Sequence, residues 1–565
     1  MRVKSNQIFS LLVFSVMVMS DVFAQNLPDS IAKQIDKIFE KSNASNSAGC
    51  AVGIIRNDTL IYAKGYGLAN LEHAIPITSE TLFNTGSISK QITGYCILLL
   101  ARQGKLKLDE DIHTYLAWMP DFGKKIKVRN LLNHTSGLRD YVGLAGIAGL
   151  DMDGMLTQDY ALKLIRKQRG LSFNPGENFA YSNSNYGLLA EIVKGVSGQS
   201  FRAFTDSAIF KPLGMGNSFI PEDQKVLIKN RAASYSKVGS PYYSNYFQNL
   251  YLSGDGGLFS NAKDMAKWMM NFFQPKVGEQ EDIEQLTKKG KLNSGKELSY
   301  AAGIAVNSYK GQKEYVHGGA NAGYTSSLSV FPDLKLGVVV LSNIVLVFPA
   351  ARVHELADIF IKSTASDVGT AFSIDTSSAI LKDVDRMKKY AGDYMSDEGE
   401  QLRFGIRNQK LYWERYGRTD LLLPVGNDSF LVAENPAMKF VFRTLGKTDT
   451  TVKQYTSNEE HISIKFKTIE TPQTKRQFQG FTGSYYSPEL DCVYNIVFNG
   501  KDLLLRQGKI EDSKITLIGK DDLLADFWWM RHLKIIRNKT NDIVGFDVDV
   551  EGVMHLRFNK IESIK

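Results

Sequence analysis

Three short motifs combine residue types that could carry out acyl transfer without a Ser-His-Asp triad. The segment Ser87–Lys90 (Ser-Ile-Ser-Lys) places a hydroxyl three residues before an amine, Tyr181–Asn183 adds a phenol and an amide, and His317–Gly319 precedes Ala320. Together they supply a nucleophile, a group that can take its proton, and backbone N–H groups for a developing oxyanion. These are the groups that acyl transfer through a serine requires.

The pattern Ser-x-x-Lys is weak evidence by itself because it occurs four times, and context selects Ser87 and Lys90. The apolar run that follows predicts a buried helix that begins at Ser87 and ends at Gly104. A spacing of three residues puts both groups on one helix face. A buried Lys is costly unless it is paired or neutral, which suits it to relay a proton. The alternative is a Lys that reaches solvent from a helix start.

Tyr181 and Asn183 are preferred to the similar segment Tyr243–Asn245, because Asn183 leads into an amphipathic helix predicted over Tyr186–Val196. A Tyr beside an ammonium group can act as a general base. Asn183 can orient Lys90 and a substrate amide. Taken alone, this motif is better explained by a core Tyr and a capping Asn.

His317, Gly318 and Gly319 follow the strand-like segment Lys313–Val316. The two glycines would let a substrate backbone approach the edge of that strand closely. His317 would hydrogen-bond to Tyr181 or, when protonated, bind a substrate anion. The alternative for this motif alone is a surface His before a bulge.

The motifs must be positioned by strands and helices, which alternate from about Leu27 to Ser363. Strands at both ends with helices between them indicate one mixed domain of α+β type. The predicted elements are a hairpin of Cys50–Ile55 and Thr59–Gly67, helices Tyr186–Val196, Asp264–Phe273 and Ala350–Ile361, and two strands within Val330–Leu341 about a Pro-Asp turn.

The C-terminal part contains a repeat. Tyr390–Tyr394 (Tyr-Ala-Gly-Asp-Tyr) recurs 91 residues later as Phe481–Tyr485, and Arg407–Lys410 matches Phe498–Lys501 at the same offset. Asn499-Gly500 between alternating apolar runs predicts a hairpin. A unit of roughly 85 residues accommodates about eight strands, enough to close a small barrel. The alternative is two unrelated β-meanders that look alike.

The N-terminus predicts export. Arg2 and Lys4 precede an apolar run over Ile8–Met19 and small residues at Val22–Ala24. We therefore expect a soluble periplasmic or secreted protein without a stable membrane anchor. The predicted limits are 1–24 for the signal peptide, 25–363 for the first domain, 364–383 for a linker rich in Ser, Thr, Ala and Asp, and 384–470 and 477–565 for the barrel repeats.

The composition argues against other functional classes. The net charge of +8 is spread along the chain without a block of Lys and Arg, so no nucleic-acid site is expected. The eight His residues form no His-x-His or His-Glu-x-x-His pattern, and neither a metal nor another cofactor is predicted. Three Cys residues cannot all pair, and we interpret them as small buried hydrophobic residues.

Together the three motifs resemble the penicillin-recognising serine hydrolase family, which includes class C β-lactamases, D-Ala-D-Ala carboxypeptidases, D-aminopeptidases and related esterases. Leu131–Leu138, Gly254–Ser260 and Gly323–Ser326 are similar to further family segments, and the resemblance covers about Leu27 to Ser363. It implies a serine β-lactamase/transpeptidase-like domain, an antiparallel sheet with helices on both sides. Two all-β, lipocalin-like barrels would follow.

The resemblance also implies roles for individual residues. The nucleophile would be Ser87, with Lys90 and Tyr181 handling protons. The supporting residues would be Asn183, His317, Gly318 and Gly319, and the oxyanion hole would consist of the backbone N–H groups of Ser87 and Ala320.

One departure from the family bears on the substrate. Class C β-lactamases usually carry Lys-Thr-Gly where this chain has His317–Gly319, which weakens a β-lactamase interpretation. A catalytic domain followed by two barrels resembles D-aminopeptidases, in which a barrel loop restricts the site to small substrates. The leading hypothesis is hydrolysis, through an acyl-enzyme, of small peptides or amides that contain D-amino acids, by an enzyme like a D-aminopeptidase or a DD-peptidase. The alternatives are an esterase or weak β-lactamase, and a non-catalytic protein that binds peptidoglycan fragments.

Overall fold

The computed structural model describes most of the chain between residues 27 and 562. The described ranges are 27–43, 46–150, 154–223, 225–237, 243–247, 250–345, 349–361, 384–396, 401–415, 418–426, 428–433, 435–445, 449–455, 460–466, 478–527 and 529–562. The predicted signal peptide and the predicted linker lie outside these ranges. None of the helices in the described ranges combines the length and the apolarity that a membrane crossing requires.

Strands and helices alternate in the first unit. The strands are β1 Cys50–Arg56, β2 Thr59–Tyr66, β3 Leu68–Asn70, β4 Ile75–Pro76, β5 Phe83–Asn84, β6 Leu156–Thr157, β7 Tyr235–Lys237, β8 Tyr243–Asn245, β9 Leu250–Tyr251, β10 Phe259–Ser260, β11 Ala305–Tyr309, β12 Gln312–Asn321, β13 Tyr324–Phe331 and β14 Leu336–Ser342. The helices are α1 Asp29–Ile38, α2 Ser89–Arg102, α3 Val128–Leu132, α4 Tyr141–Ile147, α5 Gln158–Lys167, α6 Asn183–Ser197, α7 Phe201–Thr205, α8 Lys211–Leu213, α9 Ala262–Met270, α10 Gln280–Leu286 and α11 Pro349–Asp358.

The central sheet has six antiparallel strands in the order β11-β12-β13-β14-β1-β2. Successive side chains of a strand point to opposite faces, so β1 contributes to two cores. Cys50, Val52 and Ile54 pack with α1 and α11, whereas Ala51 and Ile55 pack with α2 and α9. The predicted antiparallel sheet with helices on both sides is therefore confirmed.

Most predicted elements are present with shifted ends. The hairpin of β1 and β2 is confirmed, as are the two strands about the Pro-Asp turn. Helix α6 begins three residues earlier than predicted and ends at Gly198, which has φ 70°. Helix α9 begins two residues earlier than predicted, because the side chain of Asn261 accepts a hydrogen bond from the N–H of Asp264 and caps it.

The C-terminal part forms two closed barrels of eight strands each. Helix α12 Val384–Tyr390 precedes the first barrel. The first barrel contains β15 Gly392–Ser396, β16 Gln401–Arg407, β17 Lys410–Arg415, β18 Arg418–Gly426, β19 Ser429–Val432, β20 Asn435–Leu445, β21 Asp449–Tyr455 and β22 Glu460–Phe466. The second contains β23 Gly483–Ser487, β24 Cys492–Phe498, β25 Leu503–Gln507, β26 Ile510–Leu517, β27 Asp522–Ala525, β28 His532–Arg537, β29 Ile543–Val550 and β30 Val553–Ile561. The predicted barrels are confirmed, while their exact limits in sequence stay a prediction.

The sequence repeat corresponds to a repeated contact. The hydroxyl of Tyr394 donates to the carbonyl of Tyr390 at 2.9 Å, and that of Tyr485 donates to the carbonyl of Phe481 at 2.6 Å. In each motif the glycine, Gly392 or Gly483, adopts a positive φ of 135° or 147°. The same sequence therefore builds the same corner twice, which favours a duplication over two meanders that merely look alike.

The two barrels differ in how they pack. Residues of the second barrel join the helical core of the first unit in one continuous cluster, whereas the first barrel has a core of its own. At the joint, the indole of Trp529 lies against Gly146, and the hydroxyl of Tyr494 donates to the carbonyl of Ile147 at 2.9 Å. The second barrel is thus part of the folded body that carries the motifs. The three Cys residues are buried and unpaired, as predicted.

Two helix glycines differ in how closely they are packed, and this difference predicts opposite effects of alanine on stability. A Cβ at Gly94 of α2 would lie 2.3 Å from the carbonyl oxygen of Ala302, so Gly94→Ala should lower the free energy of unfolding by about 1–3 kcal/mol. Gly195 of α6 has no atom nearer than 3.8 Å to such a Cβ, and Gly195→Ala should raise stability by about 0.5–1 kcal/mol. Denaturant unfolding of both variants measures the difference. Equal effects would contradict this account of the packing around α2.

Candidate active site

Ser87 lies in a tight 3₁₀ turn, Gly86–Ile88, that runs directly into α2. The sequence analysis placed the helix start at Ser87, but the α-helix itself begins at Ser89. The difference arises at Gly86, whose φ of 54° tightens the turn, and whose N–H donates to the side chain of Asn84 at 2.8 Å. The turn holds Ser87 at the N-terminal end of a buried helix, where backbone N–H groups are free of helical partners.

Lys90 is fully buried and donates three hydrogen bonds to uncharged acceptors. Its Nζ lies 3.1 Å from Oγ of Ser87, 2.8 Å from Oδ1 of Asn183 and 2.7 Å from the carbonyl oxygen of Asp255. Three is the full donor capacity of an ammonium group. The predicted proximity of Ser87, Lys90 and Asn183 is therefore present, and the amine is oriented toward the serine hydroxyl.

Tyr181 lies beside this amine. Nζ of Lys90 is 4.8 Å from the centroid of the Tyr181 ring, and 5.6 Å from that of Tyr186. Tyr181 also contacts His134, whose ring centroid is 4.3 Å away. The Tyr181 ring thus contacts both an amine and an imidazole, and it lines the pocket that contains Ser87.

His134 is a residue to which the sequence analysis assigned no role. It is buried, and its Nδ1 accepts hydrogen bonds from the N–H of Ser182 at 3.2 Å and from the amide of Asn185 at 3.1 Å. Burial first, and then the charge of Lys90, lower its pKa well below the usual value, so His134 is neutral. It fixes the peptide that follows Tyr181. One indication of a role for His134 was present in the sequence, because this residue lies in the family-like segment Leu131–Leu138. Its φ of 57° could not be predicted from the sequence.

His317 has a partner other than the expected one. Its Nε2 lies 2.8 Å from the hydroxyl of Tyr300, and its Nδ1 lies 2.6 Å from the carbonyl oxygen of Gly318, whereas the Tyr181 ring centroid is 6.4 Å away. Burial is the main cause that lowers the pKa of His317 to about 4. The expected contact with Tyr181 is replaced by Tyr300, and a neutral imidazole does not suit the binding of an anion.

Gly319 brings strand β12 against the turn that carries Ser87. A Cβ at Gly319 would lie 2.0 Å from the carbonyl oxygen of Thr85 and 3.0 Å from the backbone nitrogen of Ser87. A Cβ at Gly86 would likewise lie 2.5 Å from the backbone nitrogen of Ala320. The absence of a side chain at Gly319 therefore allows the turn that carries Ser87 to pack against strand β12. The sequence analysis assigned this glycine to the approach of a substrate. Gly318 has more room, with its nearest atom at 3.6 Å.

Two buried carboxyl groups and a tyrosine support the site, and the sequence motifs did not reveal them. Asp255 accepts a hydrogen bond from the hydroxyl of Tyr141 at 2.8 Å, and burial raises its pKa to about 6. Asp140 accepts from the N–H of Asn183 at 2.5 Å and from that of Val142 at 2.9 Å. Asp140 thus holds Asn183, an acceptor of Lys90, whereas Asp255 is held by Tyr141 and offers its own backbone carbonyl to Lys90. Neither aspartate contacts the ammonium group through its carboxylate in the hydrogen bonds described.

Ser87, Tyr181, Asn183 and Ala320 line a small pocket of about 130 Å³, whereas Lys90 and the predicted residues His317, Gly318 and Gly319 are not among its described lining residues. None of the described residues that line it is Lys or Arg. Its lining is Gly86, Ser87, Tyr141, Val142, Tyr181, Asn183, Leu252, Asp255, Gly256, Gly257, Ala320 and Asn321. A cleft of about 400 Å³ between α5 and the second barrel contains none of the predicted site residues. In the described ranges, no three His, Cys, Asp or Glu side chains are grouped as metal ligands.

Comparisons with known proteins identify the family and the fold of the first unit. The family model described as Beta-lactamase matches residues 35–359, which is more than half of the chain. A D-aminopeptidase of Gluconobacter oxydans is 28% identical over 295 residues, 52% of this chain and 55% of that enzyme, so the match spans about half of its length. A D-aminopeptidase of Brucella anthropi is 23% identical over 480 residues, 84% of each chain. The octameric penicillin-binding protein homologue of Pyrococcus abyssi shares the fold, with a TM-score of 0.54, 24% identity, and coverage of 77% of this chain and 99% of that chain.

The contacts of Lys90 predict that it works with Tyr181 as a unit on Ser87. Lys90→Ala, Tyr181→Phe and the double variant should therefore lose similar activity, about 10³-fold or more each. Losses that multiply in the double variant would show that the two residues act independently.

Ser87→Ala should abolish both turnover and labelling by a serine-reactive phosphonate, whereas Ser234→Ala serves as the control. Labelling that persists without Ser87 would exclude it as the nucleophile.

The lowered pKa of His317 predicts a pH dependence of stability. An unfolded His takes up a proton near pH 6.5, whereas His317 in the folded chain does so only near pH 4. The unfolded state therefore binds more protons between these values, and His317 makes the protein less stable as the pH falls from 6.5 to 4. In His317→Gln, the free energy of unfolding should decrease less steeply over this range, measured by urea unfolding. Parallel curves for the two proteins would contradict a lowered pKa.

Proposed function

The chain belongs to the beta-lactamase family and is a serine hydrolase, and from this premise we propose that it is an exported D-aminopeptidase or D-amino-acid amidase. The proposed substrates are small peptides or amides with a D-amino acid at the acyl side of the cleaved bond. Ser87, Lys90, Tyr181, Asn183 and the oxyanion-hole residues are the proposed active site. Residues 1–24 are proposed to direct export.

The observation that carries this proposal is the size and charge of the pocket beside Ser87. A volume of about 130 Å³ suits a small acyl group. A carboxypeptidase or β-lactamase substrate presents a carboxylate, which is best bound by Arg or Lys. None of the described lining residues is of these types, and all three N–H groups of Lys90 are used by the protein. The lining does include Asp255, which favours a substrate that is neutral or carries a free amine.

The proposed reaction proceeds through an ester on Ser87. Its Oγ attacks the amide carbonyl, and its proton passes to the Lys90–Tyr181 pair. The oxygen of the tetrahedral intermediate accepts hydrogen bonds from the backbone N–H groups of Ser87 and Ala320. The C–N bond then breaks, and the amine leaves with the proton. Water attacks the ester, its proton returns through the same pair, and the acid and the free serine are released.

The second barrel supports the restriction to small substrates. The hairpin between β29 and β30 carries Gly552, and a Cβ there would lie 3.5 Å from the carbonyl oxygen of Tyr181. The barrel therefore lies against the backbone of Tyr181, while the described residues that line the pocket all belong to the first unit. The relatives named D-aminopeptidase include one that aligns with 84% of this chain, a span longer than the beta-lactamase match. We propose that this hairpin limits the size of the substrate by supporting Tyr181 from behind.

A substrate panel tests the proposal. D-alanine p-nitroanilide should be cleaved with a kcat/KM about tenfold or more above that of its L-isomer, of its N-acetyl derivative, of acetyl-D-Ala-D-Ala and of nitrocefin. Ser87→Ala is the control for background hydrolysis. p-Nitrophenyl acetate tests the esterase alternative, and mass spectrometry of trapped acyl-enzyme tests the non-catalytic one. Efficient nitrocefin hydrolysis without action on D-amides would favour a β-lactamase over a D-aminopeptidase or amidase.

A further inference from the structure

We propose that the second barrel holds the Lys90 ammonium group in its working position, through the segment Arg139–Tyr141. In this role Arg139, Asp140, Tyr141 and Glu489 are positioning residues, since their effect reaches the reaction through Lys90. The proposal rests on the proposed nucleophile Ser87, and it is independent of which substrate the enzyme uses.

On one side, the segment is bound to the second barrel. Nη1 of Arg139 lies 3.0 Å from both carboxylate oxygens of Glu489, and the two side chains are only 4% and 7% exposed. Nε and Nη2 of Arg139 donate to the carbonyls of Met554 and His555 at 2.9 and 3.1 Å. The N–H of Asp140 donates to the carbonyl of Gly552 at 2.8 Å. A guanidinium thus joins the loop before β24 to strand β30.

On the other side, the same segment holds two of the three acceptors of Lys90. The carboxylate of Asp140 accepts from the N–H of Asn183, whose Oδ1 accepts from Lys90. The hydroxyl of Tyr141 donates to the carboxylate of Asp255, whose carbonyl oxygen accepts from Lys90. Two hydrogen bonds therefore separate Asp140 from the ammonium group, and two separate Tyr141 from it.

The chemistry makes this arrangement sensitive. Lys90 is buried among uncharged acceptors, so a displaced Asn183 or Asp255 would leave N–H groups unsatisfied. A displacement of about 1 Å in a catalytic group can cost roughly a hundredfold in rate. Removing one partner of a buried ion pair leaves the other charge uncompensated, which disturbs the surrounding backbone more than the loss of a surface pair. Loss of the Glu489 charge should therefore reach Ser87 through Lys90.

The experiment compares two carboxylates of the second barrel on the full-length protein. Glu489→Gln removes the negative charge that faces Arg139, whereas the matched control Asp491→Asn removes the charge of an exposed carboxylate that lies 3.7 Å from Lys167 at the same interface. The rate constant for labelling of Ser87 by a small serine-reactive fluorophosphonate is measured from pH 6 to 10. A small probe is chosen because it does not depend on the substrate pocket being narrow.

In Glu489→Gln the rate constant for labelling should fall at least about tenfold, and its pH profile should shift. In Asp491→Asn the rate constant should stay within about twofold of the wild-type value. Glu489→Asp, which keeps the charge, should recover part of the rate. With any substrate that is turned over, kcat should fall more than KM rises. Wild-type labelling and an unchanged pH profile in folded Glu489→Gln would overturn the proposal, as would an equal loss in Asp491→Asn.

If Glu489→Gln does not fold by circular dichroism, Gly552→Ala replaces it. Gly552 has φ 76°, and a Cβ there would lie 3.1 Å from Cβ of Asp140, so this variant shifts the hairpin against the segment. The same slower labelling and shifted profile are expected, and a wild-type profile would overturn the proposal. Labelling that survives in Ser87→Ala is a different failure, because it would exclude the nucleophile and not the role of the barrel.

Discussion

The burial of one ammonium group is the constraint on which the rest of this site depends. Lys90 has no carboxylate among its hydrogen-bond acceptors and relies on a hydroxyl, an amide oxygen and a carbonyl oxygen. These acceptors come from three distant parts of the chain, so each must be fixed by structure of its own. Asp140 fixes Asn183, and Tyr141 fixes Asp255. The three acceptors thus take the place of the water molecules that would solvate this amine at the protein surface.

A second constraint is the short distance between strand β12 and the turn of Ser87. The backbone at Gly319 passes so close to Thr85 that any side chain would collide with its carbonyl. The hydroxyl of Ser326 on β13 donates to the same carbonyl at 2.7 Å and keeps the turn on the sheet. The backbone segments that carry the two nitrogens proposed for the oxyanion hole meet at this contact, because a Cβ at Gly86 would lie 2.5 Å from the nitrogen of Ala320 and one at Gly319 would lie 3.0 Å from that of Ser87.

The sequence predicted the elements well where the periodicity was strong and the partners were local. The β1–β2 hairpin, helix α6 and the proximity of Ser87 to Lys90 follow from spacing alone. Contacts across long separations could not be read in this way. His317 contacts Tyr300 because the loop before β11 folds back over the site, and no motif marks that loop. The buried pair of Arg139 and Glu489 joins residues 350 positions apart, and each looks like an ordinary surface charge in the sequence.

Within the described residues, the two barrels differ at the strand that follows the repeated corner. Tyr394 lies opposite Leu402 of the neighbouring strand in the first barrel, whereas the equivalent Tyr485 lies opposite Tyr494 in the second. Leu402 is buried within its own barrel, but the hydroxyl of Tyr494 reaches the carbonyl of Ile147 in the first unit. Because the shared corner is built by the Tyr and Gly of the repeat, a strand such as β24 can change its side chains without loss of the barrel. The hydroxyl that closes the corner of the second barrel, that of Tyr485, is thus distinct from the hydroxyl that docks this barrel on the first unit, that of Tyr494.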